Sequence, residues 1–556
     1  MRRRHFLMTM SMLIIISLLF AACAPKASGT GGTESEGAQQ EKKEMVLSFS
    51  LDAEPPQLDP QKGSDLTSIF VLGHVLEGLT RVYDGKIQPG MAESWEVSPD
   101  GLVYTFHLRD AKWSDGVAVT AQDFEYSILR LLDPNTAGAY SEIMGFLIKN
   151  GEKFYKGEVD KSEVGLKAID EKTLEITLEA PTGYFLRVLG FLPYWPSRSD
   201  IVDKFGEAFS SEADKMVYNG PFIMKEWKHE EAIVLAKNEN YWDKDKIKAD
   251  IINVYIVPDP KTAINMFETG EILAANIPAD MTELYVQNGT AKFFPAGGSY
   301  YLQFNFNHKD GQMGKILSNK NFRKAISYAL DRENFAKAVA KNGALPATRF
   351  VPPTVSGVND KYTEEYPYAP LNLQIDEAKA KEHLELALKE LNMTHEQLPI
   401  FKLLTRDDAV RRTHMEAVQD MLSKTLGIKT DIVQVPKKQF FQLCDDSDFD
   451  ISYSNWYPDY DDPMTYIDVF MTGNGVNRGR YSNPAYDDAV KTAKLTPDLK
   501  LRGEKLFEAE KILLEDLPII PMYWDSTAYV QSDKLVNYIR SMVGADPDLI
   551  YTYIEE

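Results

Sequence analysis

Cysteine is nearly absent from this sequence, in which 556 residues include only Cys23 and Cys444. A framework of several disulfides needs more cysteines than this, and a zinc site built on paired thiolates would need both of them. If Cys23 is modified, as argued below, Cys444 has no partner for a disulfide. Stability must therefore come from an ordinary core, which a long chain with 44% hydrophobic residues can supply.

Positive charge is scarce as well. The chain has 61 Lys and Arg against 83 Asp and Glu, a net charge of −22. Surfaces that bind nucleic acid are basic, and charge-driven adhesion to anionic lipid needs clusters of basic residues. We therefore expect no nucleic-acid partner, and we interpret the acidity as a solubility feature.

Local catalytic signatures are missing too. The sequence has no nucleophile elbow, no zincin histidine pair and no phosphate-binding glycine loop, and its eight histidines are scattered. A triad can still assemble from residues that are distant in sequence, so a secreted hydrolase stays an open alternative. The pattern favours a binding protein without catalytic residues, metal or cofactor.

A hydrophobic run at residues 6–20 follows three arginines at the N-terminus. The run is shorter than the roughly 20 residues of a membrane-spanning helix, and this order is typical of a secretory signal peptide. We predict that residues 1–22 are the signal peptide.

Two small residues precede Cys23, and this pattern resembles the lipobox of bacterial lipoproteins. The resemblance implies that Cys23 is lipidated and becomes the first residue of the mature chain. More than one acyl chain is what stable anchoring requires. Residues 24–44 contain few large apolar side chains, so we predict that residues 23–44 form a lipidated, flexible tether spanning about 25 Å. A plain secreted protein with an incidental cysteine is the alternative.

The periodicity of apolar residues is mixed. Residues 103–108 and 174–178 alternate as half-buried strands do, whereas residues 378–391 and 412–426 repeat apolar side chains at helical spacing. The predicted class is α/β.

A series of motifs runs in order along almost the whole chain. They are residues 54–60 (EPPQLDP), 75–79 (VLEGL), 89–95 (PGMAESW), 112–116 (KWSDG), 120–124 (TAQDF), 219–222 (NGPF), 240–242 (NYW), 329–332 (ALDR) and 481–484 (YSNP). Together they resemble the bacterial extracellular solute-binding proteins of family 5, which serve peptide importers. Taken singly, these motifs have structural explanations: Trp95 and Trp113 as core aromatics, and residues 114–116 as a tight turn.

The resemblance implies a periplasmic-binding-protein-like fold of type II, cluster C, in which two lobes close on the ligand, with an additional third domain. We expect a discontinuous first domain at about residues 45–77, 203–302 and 527–556. The second domain would cover about 78–202, and the third, which forms the second lobe, about 303–526. The implied function is capture of oligopeptides by a lipid-anchored monomer on the extracytoplasmic face of the membrane, for delivery to the permease subunits of an ABC transporter.

The segment 455–463 (NWYPDYDDP) is the informative one for the ligand. The resemblance implies that Asp459 pairs with the α-ammonium of the peptide, with Trp456 beside it and Asn455 in the same segment. A buried ammonium must be paired, and a carboxylate accepts its charge-assisted hydrogen bonds.

Two other interpretations of Asp459 stay open. The residue could cap a turn beside Pro458, or it could join Asp461 and Asp462 in a calcium loop. The irregular spacing and the lack of a glycine argue against calcium.

Alignment of the remaining region places Tyr140 near the amino end of the peptide. It matches Leu66 to a position whose backbone pairs with the ligand chain. Hydrogen bonds to the peptide main chain give affinity without sequence preference.

The resemblance weakens at the carboxyl end of the peptide. Relatives that hold short peptides have arginines at the positions of Cys444 and Tyr453. Arg411 or Arg412 could substitute, although residues on an exposed helix face are usually solvated; otherwise longer peptides extend past the site. A binding protein for a dipeptide, a nickel complex or an oligosaccharide, and a peptide-binding lipoprotein of signalling or chaperone type, are the remaining alternatives.

Overall fold

The computed structural model describes residues 44–142 and 145–555. The predictions for residues 1–22, for Cys23 and for nearly all of the tether lie outside the described residues. Within the described residues, no helix is both long enough and apolar enough to cross a membrane.

In chain order, the strands are β1 (Val46–Leu51), β2 (Thr80–Tyr83), β3 (Lys86–Pro89), β4 (Ala92–Val97), β5 (Val103–Leu108), β6 (Leu166–Ala168), β7 (Thr173–Thr177), β8 (Phe222–Lys228), β9 (Ala232–Lys237), β10 (Ile251–Ile256), β11 (Ala274–Asn276), β12 (Lys292–Phe304), β13 (Leu345–Pro346), β14 (Phe401–Arg406), β15 (Thr430–Val435), β16 (Ile451–Trp456), β17 (Ile519–Gln531), β18 (Leu535–Val536) and β19 (Tyr553–Ile554).

The α-helices are α1 (Leu66–Val75), α2 (Ala121–Leu132), α3 (Gly151–Tyr155), α4 (Phe185–Val188), α5 (Ser199–Phe205), α6 (Pro260–Glu268), α7 (Thr282–Gln287), α8 (Gly311–Ser318), α9 (Lys320–Tyr328), α10 (Arg332–Asn334), α11 (Tyr362–Glu365), α12 (Glu377–Leu391), α13 (Ala409–Leu426), α14 (Lys437–Asp445), α15 (Met464–Ile467), α16 (Pro484–Leu495) and α17 (Leu499–Asp516). The strands and helices that the periodicity predicts are thus confirmed, with ends shifted by a few residues.

Two four-stranded sheets come from the first half of the chain. One has the order β1-β10-β9-β8, with β1 parallel to β10 and the other pairs antiparallel. The other is antiparallel, with the order β4-β5-β7-β6. In β5, alternate residues Tyr104, Phe106 and Leu108 are buried, as period-two patterning requires.

A larger, mixed sheet has the order β11-β17-β12-β16-β14-β15, and β13 pairs with β17. Its two central strands, β12 and β17, are 13 residues long and antiparallel. One edge strand, β11, lies in the segment 203–302, whereas β14, β15 and β16 lie in 303–526. The long strands β12 and β17 therefore connect the segments assigned to the first and third domains, between which the ligand is expected.

The motif residues have the structural roles expected of them. Trp113 is fully buried and Trp95 packs against the main core. Gly116 has a φ of +89°, and its N–H donates to the carbonyl of Trp113, which closes the predicted turn.

Candidate functional site

A cavity of about 600 Å³ gathers residues from widely separated parts of the chain. Its lining includes Leu66, Tyr140, Phe191, Phe294, Tyr457, Asp459, Asp525, Arg540 and Met542. Three of the residues that the sequence assigns to the ligand, Leu66, Tyr140 and Asp459, thus face one cavity. Ligand sites are typically concave, mainly apolar and furnished with a few polar groups, as this one is.

Asp459 lies in the loop that follows β16, and its N–H donates to Oγ1 of Thr465 at 3.2 Å. Within the described part of the chain, no donor or cation contacts its carboxylate. Burial, with a contribution from the charge of Asp468, raises the pKa of Asp459 to about 6. A desolvated carboxylate without a counter-charge is a group that a ligand cation would stabilise.

Tyr140 approaches Asp459 from the segment that follows α2. Its ring packs edge-on against Phe191, with centroids 5.4 Å apart. Burial and the charge of Asp459 raise the pKa of Tyr140 above its ordinary value. Tyr140 therefore stays protonated, and its hydroxyl can donate near the Asp459 carboxylate.

Leu66 is the first residue of α1, which begins at the N-cap Asp65. The N–H of a residue in the first helical turn has no intrahelical acceptor. The Leu66 side chain is 80% exposed although the next nine residues of α1 are buried. Both its main-chain N–H and its side chain are therefore available at the cavity.

Trp456 is placed differently from Asp459. It ends β16, opposite Ser299 of β12, and packs against the main core. Its Nε1 is buried, and no acceptor among the described residues contacts it. The residues that line the cavity include Tyr457, Pro458 and Asp459 but not Trp456.

Asn455 belongs to a second cluster, with two arginines. Its Oδ1 accepts hydrogen bonds from Nη2 of Arg406 and from Nη2 of Arg411, each at 2.6 Å. Arg411 also contacts the carboxylate of Asp408 at 3.2 Å. No carboxylate in the described ranges lies within ion-pairing distance of Arg406, whose Nε is buried without a partner.

The expectation that Arg411 lies on an exposed helix face is wrong. Arg411 is buried, because the first turn of α13 packs against β16 and brings the guanidinium over the ring of Tyr453, 5.2 Å from its centroid. Arg412 points outward and pairs with Glu416. The guanidinium beside Tyr453 therefore comes from Arg411 in α13 and not from the position of Tyr453 itself in β16.

Asp461 and Asp462, the other carboxylates of this loop, are engaged by arginines. Asp461 lies 3.1 Å from Nη1 of Arg187, and Asp462 lies 2.7 Å from Nη2 of Arg502. Both carboxylates are thus paired with arginines, and within the described residues no group of three or more acidic, histidine or cysteine side chains could hold a metal ion, so the calcium interpretation loses its support.

Arg406 and Asp525 were not selected by the sequence analysis. Arg406 ends β14 and Asp525 lies within β17, and neither belongs to a recognisable motif. Their positions follow from strand pairing across the large sheet, which a single sequence does not reveal. Asp525 gives a local signal as the one charged residue of β17, whereas Arg406 shares β14 with Lys402 and gives none.

The chain is similar to known proteins over most of its length. The model of the bacterial extracellular solute-binding proteins, family 5, matches residues 86–478. The dipeptide-binding protein DppE of Bacillus subtilis is 35% identical over 535 residues, which cover 96% of each chain.

Two solved structures have the same mixed α/β, two-lobed fold. The peptide-bound OppA of Listeria monocytogenes is 35% identical, with a TM-score of 0.72 over 93% of this chain and all of its own. The unliganded, open form of the murein tripeptide-binding protein MppA is 26% identical, with a TM-score of 0.78 over 92% of this chain and 98% of its own. The chain belongs to family 5 of the bacterial extracellular solute-binding proteins.

Proposed function

We propose that this protein captures oligopeptides in the cavity around Asp459 and delivers them to the permease subunits of an ABC transporter. The observation that carries the proposal is the Asp459 carboxylate, which is desolvated, has no counter-charge and faces a cavity shared with Leu66 and Tyr140. The peptide-binding relatives support it. Members of this family are binding proteins, and we propose that this chain likewise has no enzymatic activity.

The amino end of the peptide would lie at Asp459. Its α-ammonium would replace the water lost by the carboxylate, and the Tyr140 hydroxyl would hold the carboxylate in position. The N–H of Leu66 would donate a hydrogen bond to a peptide carbonyl. Trp456 would then act as a packing residue behind the loop rather than as a ligand contact.

The carboxyl end of the peptide would lie toward Arg406 and Arg411. Two guanidinium groups share one neutral acceptor, Asn455, and within the described ranges only Arg411 of the two has a carboxylate partner. Burial, with the neighbouring charge of Arg411, lowers the pKa of Arg406, so an anion there would be stabilised. A peptide carboxylate is an anion of suitable shape for such a pair.

The spacing of the residues proposed to hold the two ends of the peptide limits the length of the ligand. Asn455 and Asp459 are four residues apart, so their Cα atoms are separated by at most about 14 Å. An extended peptide of about three to five residues covers such a span when the side chains at both ends reach inward. Arg406 and Arg411 are not among the residues that line the cavity, so the carboxyl end of such a peptide would lie at or beyond its edge.

The rest of the assignment stays a proposal as well. The three-domain division is supported by the sheets, because each four-stranded sheet takes its strands from one proposed domain, while β12 and β17 cross between domains. Lipidation of Cys23, membrane anchoring on the extracytoplasmic face and a monomeric state follow from the sequence interpretation. Closure of the two lobes would present the loaded form to the permease.

Native mass spectrometry of the protein as purified, followed by denaturation and sequencing of released ligand, tests the function. We expect a mixture of short peptides with free amino ends and no common sequence. Release of a sugar, a nickel complex or nothing but peptides with blocked amino ends would contradict the proposal. Incubation with the same peptides should leave them uncleaved, and cleavage would favour the hydrolase alternative.

A further inference from the structure

We propose that Asp525 is a second ligand-binding carboxylate, which selects peptides carrying a cationic side chain. The inference rests on the proposed peptide function and adds a preference for lysine or arginine at one position of the peptide. Asp525 lies in β17 and lines the same cavity as Asp459.

The partners of Asp525 within the protein are neutral. Its carboxylate accepts hydrogen bonds from the hydroxyl of Tyr457 and, at 2.6 Å, from Nδ2 of Asn342. Across the described ranges, no lysine, arginine or histidine pairs with it at 4.0 Å or less. Burial raises the pKa of Asp525, which these hydrogen bonds oppose.

Arg411, whose charge acts on Asp525, is already occupied. The guanidinium of Arg411 lies 5.4 Å from the centroid of the Tyr300 ring and makes its polar contacts with Asp408, Asn455 and the carbonyl of Tyr453. Its charge lowers the pKa of Asp525 only as the smallest of several influences. Asp525 therefore keeps most of its capacity to accept a cation.

The other charges around the cavity do not neutralise this side either. Among the described residues that line the cavity, Arg540 is the one basic side chain, and Asp546 binds it through both oxygens, at 2.7 and 2.8 Å. Asp52 adds a further, exposed carboxylate. The cavity is thus negative overall, which favours a ligand with more than one positive charge.

Tyr457 links the positions of the Asp459 and Asp525 carboxylates. Its hydroxyl binds Asp525, and it stands two residues before Asp459 in the same loop. A peptide whose ammonium is held at Asp459 would therefore pass Tyr457 and present a nearby side chain to Asp525. A lysine side chain is long enough and carries three donors, while a neutral side chain would leave Asp525 without a cation.

Calorimetry with a set of tetrapeptides tests the inference. The parent is tetra-alanine with free ends, and lysine or norleucine replaces alanine at each position in turn. Norleucine has the same chain length as lysine but no ammonium. We expect the wild-type protein to prefer lysine to norleucine by at least about tenfold at one position.

Asp525→Asn should erase that preference and leave the affinity for the norleucine peptide within about twofold. The matched control is Asp533→Asn, which removes the same charge from an exposed position outside the cavity and should preserve the preference. If Asp525→Asn also weakens binding of the norleucine peptide, the measurement is repeated with Asp525→Ser, which keeps an acceptor for the Tyr457 hydroxyl in a smaller side chain.

Equal affinity for lysine and norleucine at every position in the wild type would overturn the inference, as would a lysine preference that survives in both Asp525 variants. Neither result contradicts the proposed peptide function, because the peptides still bind. Failure of all tetrapeptides to bind would instead overturn the proposed function.

Discussion

Nη1 of Arg187 lies 3.1 Å from Oδ2 of Asp461, which ties α4 to the loop that carries Asp459. The same carboxylate accepts from the N–H and the hydroxyl of Ser356, at 2.8 and 2.6 Å. One residue earlier, the ring of Tyr460 stacks on Tyr184, with centroids 4.4 Å apart. The loop is therefore held from several sides, which keeps the Asp459 carboxylate at the cavity without a cation of its own.

Arg187→Met should loosen this loop. Both members of the pair are largely buried, so removal of the guanidinium leaves Asp461 short of its charge partner and should cost about 1–3 kcal/mol of unfolding free energy. Peptide affinity should fall as well, because Asp459 is less well positioned. Urea denaturation and calorimetry measure the two effects. Arg412→Met, which breaks an exposed pair with Glu416, is the control and should change stability by less than about 1 kcal/mol.

Asp459→Ala should weaken binding of a peptide with a free amino end by about 30-fold or more, because the ammonium is then buried unpaired. An N-acetylated peptide should bind the wild-type protein poorly for the complementary reason. Calorimetry on all four combinations gives the coupling between the two groups. The two losses should be clearly less than additive, as for groups in contact. Additive losses would mean that Asp459 and the amine do not meet.

Binding of free-amine peptides should weaken as the pH falls below about 6. Burial raises the pKa of Asp459 to about 6, and only the ionised carboxylate can pair with an ammonium. Affinity should fall by up to about tenfold per pH unit below this value. The neighbouring Asp468 is paired with Lys494, and Tyr140 and Tyr466 stay protonated in this range. Asp459→Asn should remove the pH dependence between 5 and 7, and an unchanged profile in that variant would contradict the assignment.

Arg406→Gln should weaken peptides with a free carboxyl end more than their C-terminally amidated forms. Arg406 is the arginine of the cluster without a carboxylate partner, so its loss leaves a bound carboxylate with only Arg411. We expect a loss of about tenfold or more for the free acid and little change for the amide. Calorimetry with tetrapeptide pairs measures both. Arg412→Gln is the matched control, and equal losses for acid and amide would place the carboxyl end elsewhere.

Cys23→Ala should leave the protein without its lipid and release it from membranes. Stable anchoring depends on the acyl chains, because a chain with a net charge of −22 gains little from electrostatic attraction to anionic lipid. Detergent phase partitioning and membrane fractionation of cells producing the variant measure the change. Cys444→Ala is the control, since that thiol is buried and should not affect partitioning. Identical fractionation of Cys23→Ala and wild type would refute the lipoprotein assignment.

The sequence by itself determined the class and the family, and it selected the candidate site residues that rest on local patterns. Apolar alternation in residues 103–108 marks β5 because side chains on a strand point to opposite faces. The segment 455–463 selects Asp459 as a candidate ligand residue because the residues of its motif are contiguous in the sequence. Leu66 and Tyr140 also came from motif alignment, and the structure places both at the cavity with Asp459.

Only the tertiary structure decided the roles that depend on non-local pairing. The burial of Arg411 follows from packing of α13 against β16, and helical periodicity alone could not distinguish this from an exposed face. Arg406 meets Asn455 because β14 and β16 are neighbours in a sheet whose order is not the chain order. Asp525 faces the cavity because β17 crosses the fold beside β12. A charge acquires its function from which other charges are within a few ångströms, and that is a property of three-dimensional contact rather than of sequence spacing.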